Sequence, residues 1–231
     1  MSTSIDVDSL TATDLAPFIQ HTRIESTLTR ADVVAHAEET ARLGFNAAMV
    51  PGSWVHVAAE VLKGTGIAVA SALDFPTVGV TSPAGKAFEA EQLVAAGASQ
   101  IDMGVQIGYL KSKMYDAFRD DIAGVVAAGA PVKVMLELPL LTEAERAIAV
   151  ELAMEAGVAF LKNASSGAIE TARPESIRFL VSHAREGVQV KASGSIKSYT
   201  QAIELLRAGA SLLGTSAGTA IISGGQAAES Y

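Results

Sequence analysis

No cysteine occurs among the 231 residues, which excludes disulfides and thiolate chemistry and is compatible with a reducing compartment. There is no run of Lys or Arg, and the formal charge is -8. Both facts argue against nucleic acid or an anionic membrane surface as partner. No segment approaches the roughly 18 apolar residues that a membrane span needs. The opening stretch MSTSIDVDSLTATDL has neither a basic start nor an apolar core, so no secretory leader is expected. These absences leave a cytoplasmic protein with a small-molecule ligand as the expectation. Aromatics are scarce at 5%, while Ala and Gly are abundant and 49% of residues are apolar. Such a composition suits helices packed tightly against a sheet, and the length suits one domain with a large core.

One short pattern recurs along the chain: a helix-like stretch ends in Gly, one or two small residues follow, and a β-branched run begins. It occurs as RLGFNAAMV (42–50), AAGASQIDM (95–103), AAGAPVKVM (127–135), EAGVAFLKN (155–163) and RAGASLLGT (207–215). Glycine stops a helix because it takes the left-handed conformation without a Cβ penalty, so each repeat reads as a helix-to-strand junction. TRAD (29–32) and TEAE (142–145) have capping-box spacing, and Pro174 sits where a first-turn proline would. Adding FIQHT (18–22), IAVASALDF (67–75) and VQVKAS (188–193) gives eight strands alternating with helices. The alternation predicts a parallel sheet, and the count and length predict a closed (β/α)8 TIM barrel. An open doubly wound sheet normally carries a GxGxxG or GxxxxGK[ST] loop, and neither is present. The reading is one barrel domain over 1–222 and a flexible tail over 223–231.

In a barrel strand alternate side chains face the helices or the interior. Ile101, Met103 and Val105 oppose Gln100 and Asp102; Val132, Val134 and Leu136 oppose Lys133, Met135 and Glu137; Val188, Val190 and Ala192 oppose Gln189, Lys191 and Ser193. The apolar sets must face the helices, which sends Asp102, Lys133, Lys162 and Lys191 inward. Layers built from alternate strands would group Asp102 with Lys162 and Lys133 with Lys191. Two ammoniums about 5 Å apart at an effective dielectric of about 20 repel by roughly 3 kcal/mol. That lowers one lysine pKa by about two units and yields a neutral amine near neutral pH. A neutral amine attacks a carbonyl to form a Schiff base, and Asp102 stands where a proton shuttle is needed. The alternative is a buried structural ion network, but three lysines facing one carboxylate leave an excess of positive charge that structure alone rarely selects.

QIDMGVQIGYLKS, VKVMLELPLLT, FLKNASSGAI and VKASGSIKS, in that order and spacing, resemble the deoxyribose-phosphate aldolase family over about 19–218. The resemblance implies a class I aldolase on a (β/α)8 barrel: a carbon–carbon lyase that reversibly cleaves 2-deoxyribose 5-phosphate to acetaldehyde and glyceraldehyde 3-phosphate. It implies Lys162 as the Schiff-base lysine, Lys191 as the lysine that lowers its pKa, Asp102 as part of a proton relay, Lys133 as a further site lysine and Tyr231 as the tail tyrosine that shuttles protons. Gly194, Ser195, Lys197, Gly214 and Ser216, with Ser166 and Thr22, are the implied substrate and phosphate contacts. A homodimer is implied as well, although no residue pattern predicts an interface, and no cofactor is expected. The chain departs from the family where it reads KNASS for KTSTG, SGSIK for SGG(I/V)R, Ala217 for a second Ser and Gln20 for Asp. Phosphate cradles use Gly so that N–H groups can approach the anion, so these changes leave two expectations open: Lys197, Gly194, Gly214 and Ser216 still hold a phosphate, or the pocket takes an unphosphorylated or bulkier acceptor. A Schiff-base aldolase with another donor, a phosphosugar isomerase and a ligand-binding barrel are the alternatives.

Other motifs carry less. GTSAG (214–218) matches GxSxG, but no His follows it, so an anion-binding turn is expected instead. The four histidines lack metal spacing, and no metal is assigned. His36, His56 and His183 read as surface residues and His21 as a packing residue. Trp54 reads as helix packing rather than a binding platform. Asp74 reads equally as a turn cap or a substrate contact.

Overall fold

The computed structural model describes residues 6–228 together with Ser230 and Tyr231. Strands β1 (Ile19–Thr22), β2 (Ala47–Met49), β3 (Ala68–Leu73), β4 (Gln100–Gly104), β5 (Val132–Met135), β6 (Phe160–Lys162), β7 (Gln189–Ser193) and β8 (Leu212–Thr215) close into a parallel barrel, with β8 pairing back to β1. Between and after them run α1 (Arg30–Leu43), α2 (Val55–Leu62), α3 (Pro83–Ala95), α4 (Ile107–Lys111), α5 (Tyr115–Val126), α6 (Glu143–Glu155), α7 (Pro174–His183), α8 (Tyr199–Arg207) and α9 (Gly218–Ile222).

The local signals act as expected. Thr29 Oγ1 accepts from the Asp32 N–H at 3.3 Å while the Asp32 carboxylate accepts from the Thr29 N–H at 2.9 Å. Thr142 and Glu145 repeat the arrangement at the start of α6, and Pro174 opens α7. Each reciprocal cap satisfies donors that a helix start would otherwise strand. The five stop glycines, Gly44, Gly97, Gly129, Gly157 and Gly209, all have positive φ. The helix-facing sets of β4, β5 and β7 are buried in the main core, where each large aliphatic side chain contributes about 1.5–3 kcal/mol.

The strand register corrects the expected layering. Asp102 pairs with Lys133, Met135 with Lys162, and Lys162 with Lys191. The two rim lysines are therefore direct neighbours on adjacent strands, and Lys133 sits one row deeper than Lys162. On the opposite wall Ala47, Met49 and Ala70 form a separate small buried cluster.

Outside the barrel, the fully buried Lys86 of α3 donates to Asp121 of α5 at 2.5 Å and to the Gly104 carbonyl at 2.9 Å. Asp74 lies 3.8 Å from the same ammonium and accepts backbone N–H groups from Gly79 and Thr81 at 2.6 and 2.9 Å. Of its two sequence readings, the turn-organising one describes these contacts. His36 is buried, contrary to the surface reading, because its ring packs, tilted, 4.7 Å from that of His21 and bonds the His21 carbonyl. Burial and the neighbouring His21 lower its pKa to about 3. His56 and His183 are exposed, and His21 packs on Phe45 at 4.6 Å. Trp54 is half-buried, packed against the core on one side and open to the barrel mouth on the other.

Candidate active site

The barrel interior brings together four charged side chains from four strands. Asp102 Oδ2 accepts from Lys162 Nζ at 2.9 Å and from Lys191 Nζ at 2.7 Å. Lys133 Nζ lies 3.2 Å from the other oxygen, Oδ1, but neither of those two atoms has a well-aligned hydrogen-bond partner. All four side chains are shut off from solvent apart from Lys162, which keeps 3% exposure. The one amine open toward the mouth is thus the one at the strand end.

One carboxylate facing three amines fixes the charge balance. Burial disfavours the Asp102 carboxylate, yet Lys162, Lys191 and Lys133 outweigh it and hold its pKa below the usual range. Burial pushes Lys191 well below an ordinary lysine; Asp102 opposes that shift, and Lys162 and Lys133 add to it. Lys133 is lowered mainly by burial. For Lys162 burial is outweighed by Asp102, with Tyr231 and Glu137 adding to it, so its pKa is raised. In the free protein, then, the lowered amines are Lys191 and Lys133. Lys162 and Lys191 share one oxygen, so their protons titrate as a pair rather than as separate sites.

Gln20 completes the cluster, and the sequence reading noted it only as a departure. Its Oε1 accepts from Lys191 Nζ at 2.6 Å, and its Nε2 donates to Gln100 at 2.5 Å and Asn46 at 3.2 Å. Engaging both hydrogens of the amide forces the oxygen toward Lys191. Glu137 was likewise unassigned: it is buried with φ 51°, and its Oε1 accepts from the Ser165 N–H at 3.0 Å. Asn163, directly after Lys162, donates to Glu170 at 2.8 Å and to the Ser193 carbonyl at 3.0 Å. It clamps the end of β6 to β7.

The tail residues lie across the rim of β7 and β8. Lys197 Nζ donates to the Ala228 carbonyl at 3.0 Å, and the Ser195 N–H donates to the Tyr231 carbonyl at 2.7 Å. Thr215 and Ser230 hydroxyls meet at 3.0 Å, and the Tyr231 N–H donates to Ser216 Oγ at 3.3 Å. A Cβ on Gly214 would stand 2.6 Å from Tyr231 Oη and 2.9 Å from Lys191 Cε, so the phenol enters the lysine well through a slot that only glycine leaves open. Ser195 holds φ 49°, a costly conformation for a side-chain-bearing residue. The Ser166–Gly167 loop closes against it. Thr22 Oγ1 turns back to the Gln20 carbonyl at 3.0 Å, and Thr22 lines a depression with Ser216 and Tyr231. Among the described residues no cluster of three or more His, Asp or Glu could hold a metal, and no helix is long and apolar enough to cross a membrane.

No protein-family model matches the chain. Among curated proteins, the deoxyribose-phosphate aldolase of Thermosynechococcus vestitus is 40% identical, over 88% of this chain and 93% of its own. That of Carboxydothermus hydrogenoformans is 37% identical over 96% of this chain and all of its own. Among solved structures, an aldolase called QR15 superposes with a TM-score of 0.85 at 29% identity, covering 91% of this chain and 95% of that one. A tetrameric deoxyribose phosphate aldolase from Aeropyrum pernix gives 0.85 at 28%, covering 94% and 93%.

Proposed function

Because this chain belongs to the deoxyribose-phosphate aldolase family and is a carbon–carbon lyase, we propose that its lysine pair runs the cleavage of 2-deoxyribose 5-phosphate to acetaldehyde and glyceraldehyde 3-phosphate. Lys191, the depressed amine, accepts the proton of Lys162. The freed Lys162 amine adds to the sugar aldehyde, and loss of water gives an iminium. A base removes the proton of the 3-hydroxyl, the C2–C3 bond breaks, and its electrons flow into the iminium to leave an enamine as glyceraldehyde 3-phosphate departs. Tyr231 delivers a proton to the enamine carbon through the Gly214 slot, and water releases acetaldehyde and restores the amine. Asp102 stays ionised throughout and holds both nitrogens on one oxygen, while Lys133 supplies further positive charge from below. Lys197, Ser216, Ser195 and Gly194 receive the phosphate, with Ser166 and Thr22 at the edge of the same rim.

The observation that carries this reading is the double donation of Lys162 and Lys191 to Asp102 Oδ2. Reduction with borohydride in the presence of acetaldehyde, followed by mass spectrometry, tests it. An adduct on Lys162 is expected, and an adduct confined to another lysine overturns the assignment. A homodimer is part of the same proposal and is checked by light scattering. So is a cytoplasmic location, which suits a phosphorylated substrate that does not cross membranes unaided.

A further inference from the structure

Lys191 has to be uncharged before the reaction and take up a proton during it, so whatever else touches its nitrogen bears on that step as directly as Asp102 does. Among the described residues, two groups accept from Lys191 Nζ: Asp102 Oδ2 at 2.7 Å and Gln20 Oε1 at 2.6 Å. Gln20 lies on β1 and Lys191 on β7, with β8 between them. The reach is possible because the β8 partner of Gln20 is Gly214; a Cβ there would stand 2.9 Å from Lys191 Cε. The amide is also fixed in orientation, since its Nε2 donates to Gln100 Oε1 at 2.5 Å and to Asn46 Oδ1 at 3.2 Å. Turning it over would set a donor against the Lys191 nitrogen, and Gln20 is fully buried, where such a mismatch costs most.

The number of acceptors matches one protonation state. A neutral lysine has two N–H groups, and Asp102 and Gln20 take both, which leaves the lone pair as the uncommitted position. An ammonium has three donors, one more than the acceptors these residues offer. Gln20 moreover adds an acceptor without adding charge. The charged and titratable groups that face Lys191 are Asp102 on β4, Lys133 on β5, Lys162 on β6 and the Tyr231 phenol over Gly214. Only one of them is a carboxylate, and β1 and β8 contribute Gln20 and Gly214, which carry no charge. A carboxylate in place of the amide would be a second anion and would hold Lys191 as an ammonium.

We propose that Gln20 is a positioning residue for the proton transfer between the two lysines: its neutral, fixed oxygen holds Lys191 as an amine whose lone pair is left open for the proton that Lys162 loses. The inference rests on the Schiff-base reading above and adds that the protonation of the pair is set from β1 as well as from Asp102. In the step itself one N–H bond of Lys162 breaks and one forms on Lys191, and the positive charge moves with the proton. Gln20 touches neither the substrate nor Lys162; it acts through Lys191 alone.

Two variants separate charge from orientation, with the rate of acetaldehyde trapping on Lys162 followed from pH 5 to 10. Gln20→Glu keeps the size and the accepting oxygen but adds a charge, and an opposite charge at this range moves a pKa by about 1–3 units. Its profile should rise at least about one pH unit later than the wild type and regain the wild-type plateau at the alkaline end. Gln20→Leu removes the oxygen without adding charge; its plateau should fall about tenfold with no move of the midpoint to higher pH. A packing role alone would lower the rate in both variants alike and leave both midpoints in place. A Gln20→Glu profile that superposes on the wild type, or a Gln20→Leu plateau equal to it, overturns the proposal while leaving the aldolase reading intact. If circular dichroism shows Gln20→Glu unfolded, the Gln20→Leu plateau decides alone. Failure to trap acetaldehyde on wild-type Lys162 overturns both readings.

Discussion

Replacing Lys191 by Met removes one nitrogen from the shared Asp102 oxygen while keeping an unbranched, buried side chain of similar length. In the wild type, Lys162 and Lys191 meet that oxygen at 2.9 and 2.7 Å, so the two nitrogens stand no more than about 5.6 Å apart. At an effective dielectric of about 20 their repulsion is roughly 3 kcal/mol, or about two pKa units. The pair therefore loses its first proton well below an ordinary lysine, and the amine so formed can reside on either nitrogen. Without Lys191, no second amine shares the Asp102 oxygen to take the Lys162 proton, and Lys162 must release it from an amine whose pKa is raised by Asp102. The rate of iminium formation, followed by cyanoborohydride trapping of acetaldehyde from pH 5 to 10, should then rise at least about two pH units later. At neutral pH it should be about a hundredfold slower. A rate profile that superposes on the wild type would refute the electrostatic coupling, whatever happened to turnover.

Lys162→Ala should abolish both trapping and cleavage while circular dichroism remains that of a folded barrel; cleavage above background contradicts the nucleophile's role. Tyr231→Phe should still form the iminium but exchange the methyl protons of acetaldehyde with deuterated water about 10² times more slowly, as NMR would record; an unchanged exchange rate removes the phenol from the proton path. His36 has a pKa lowered from 6.5 to about 3, so the folded state keeps it neutral while the unfolded chain takes up a proton. Stability is therefore complete above pH 6.5 and is lost as pH falls from there toward 3, by about 1.4 kcal/mol per unit. Urea titrations of His36→Leu should show a flatter dependence over that window; the same acid slope as the wild type would exclude His36 as its source. Glu137→Leu strands the Ser165 N–H and should lower stability by about 1–3 kcal/mol, whereas Glu137→Gln, which keeps an acceptor, should lose less. Equal loss in both variants would deny that hydrogen bond its importance.

The barrel was legible because its signals are local. A capping box at Thr29, a proline at 174 and glycines at helix ends depend only on neighbours in the chain, and strict alternation told which side of each strand faces the helices. The inward turn of Asp102 and the three lysines followed from the same alternation. That Lys162 and Lys191 share one carboxylate oxygen did not follow, because it depends on the register between β6 and β7. Gln20 escaped assignment for a related reason: its value lies in two amide partners, Asn46 and Gln100, that are distant in sequence. His36 looked superficial because a helix pattern cannot show that the neighbouring strand offers a ring and a carbonyl to bury against.

Lys162 and Lys191 are paired residues of adjacent strands, so their spacing is set by the ladder of backbone hydrogen bonds between β6 and β7. The turns that follow them, NASS (163–166) and GSIK (194–197), lie beyond that ladder. Mutation can reshape those turns and change the clientele of the enzyme without retuning its reactive amine, which makes this barrel a chassis on which substrate choice and reactivity evolve on separate clocks.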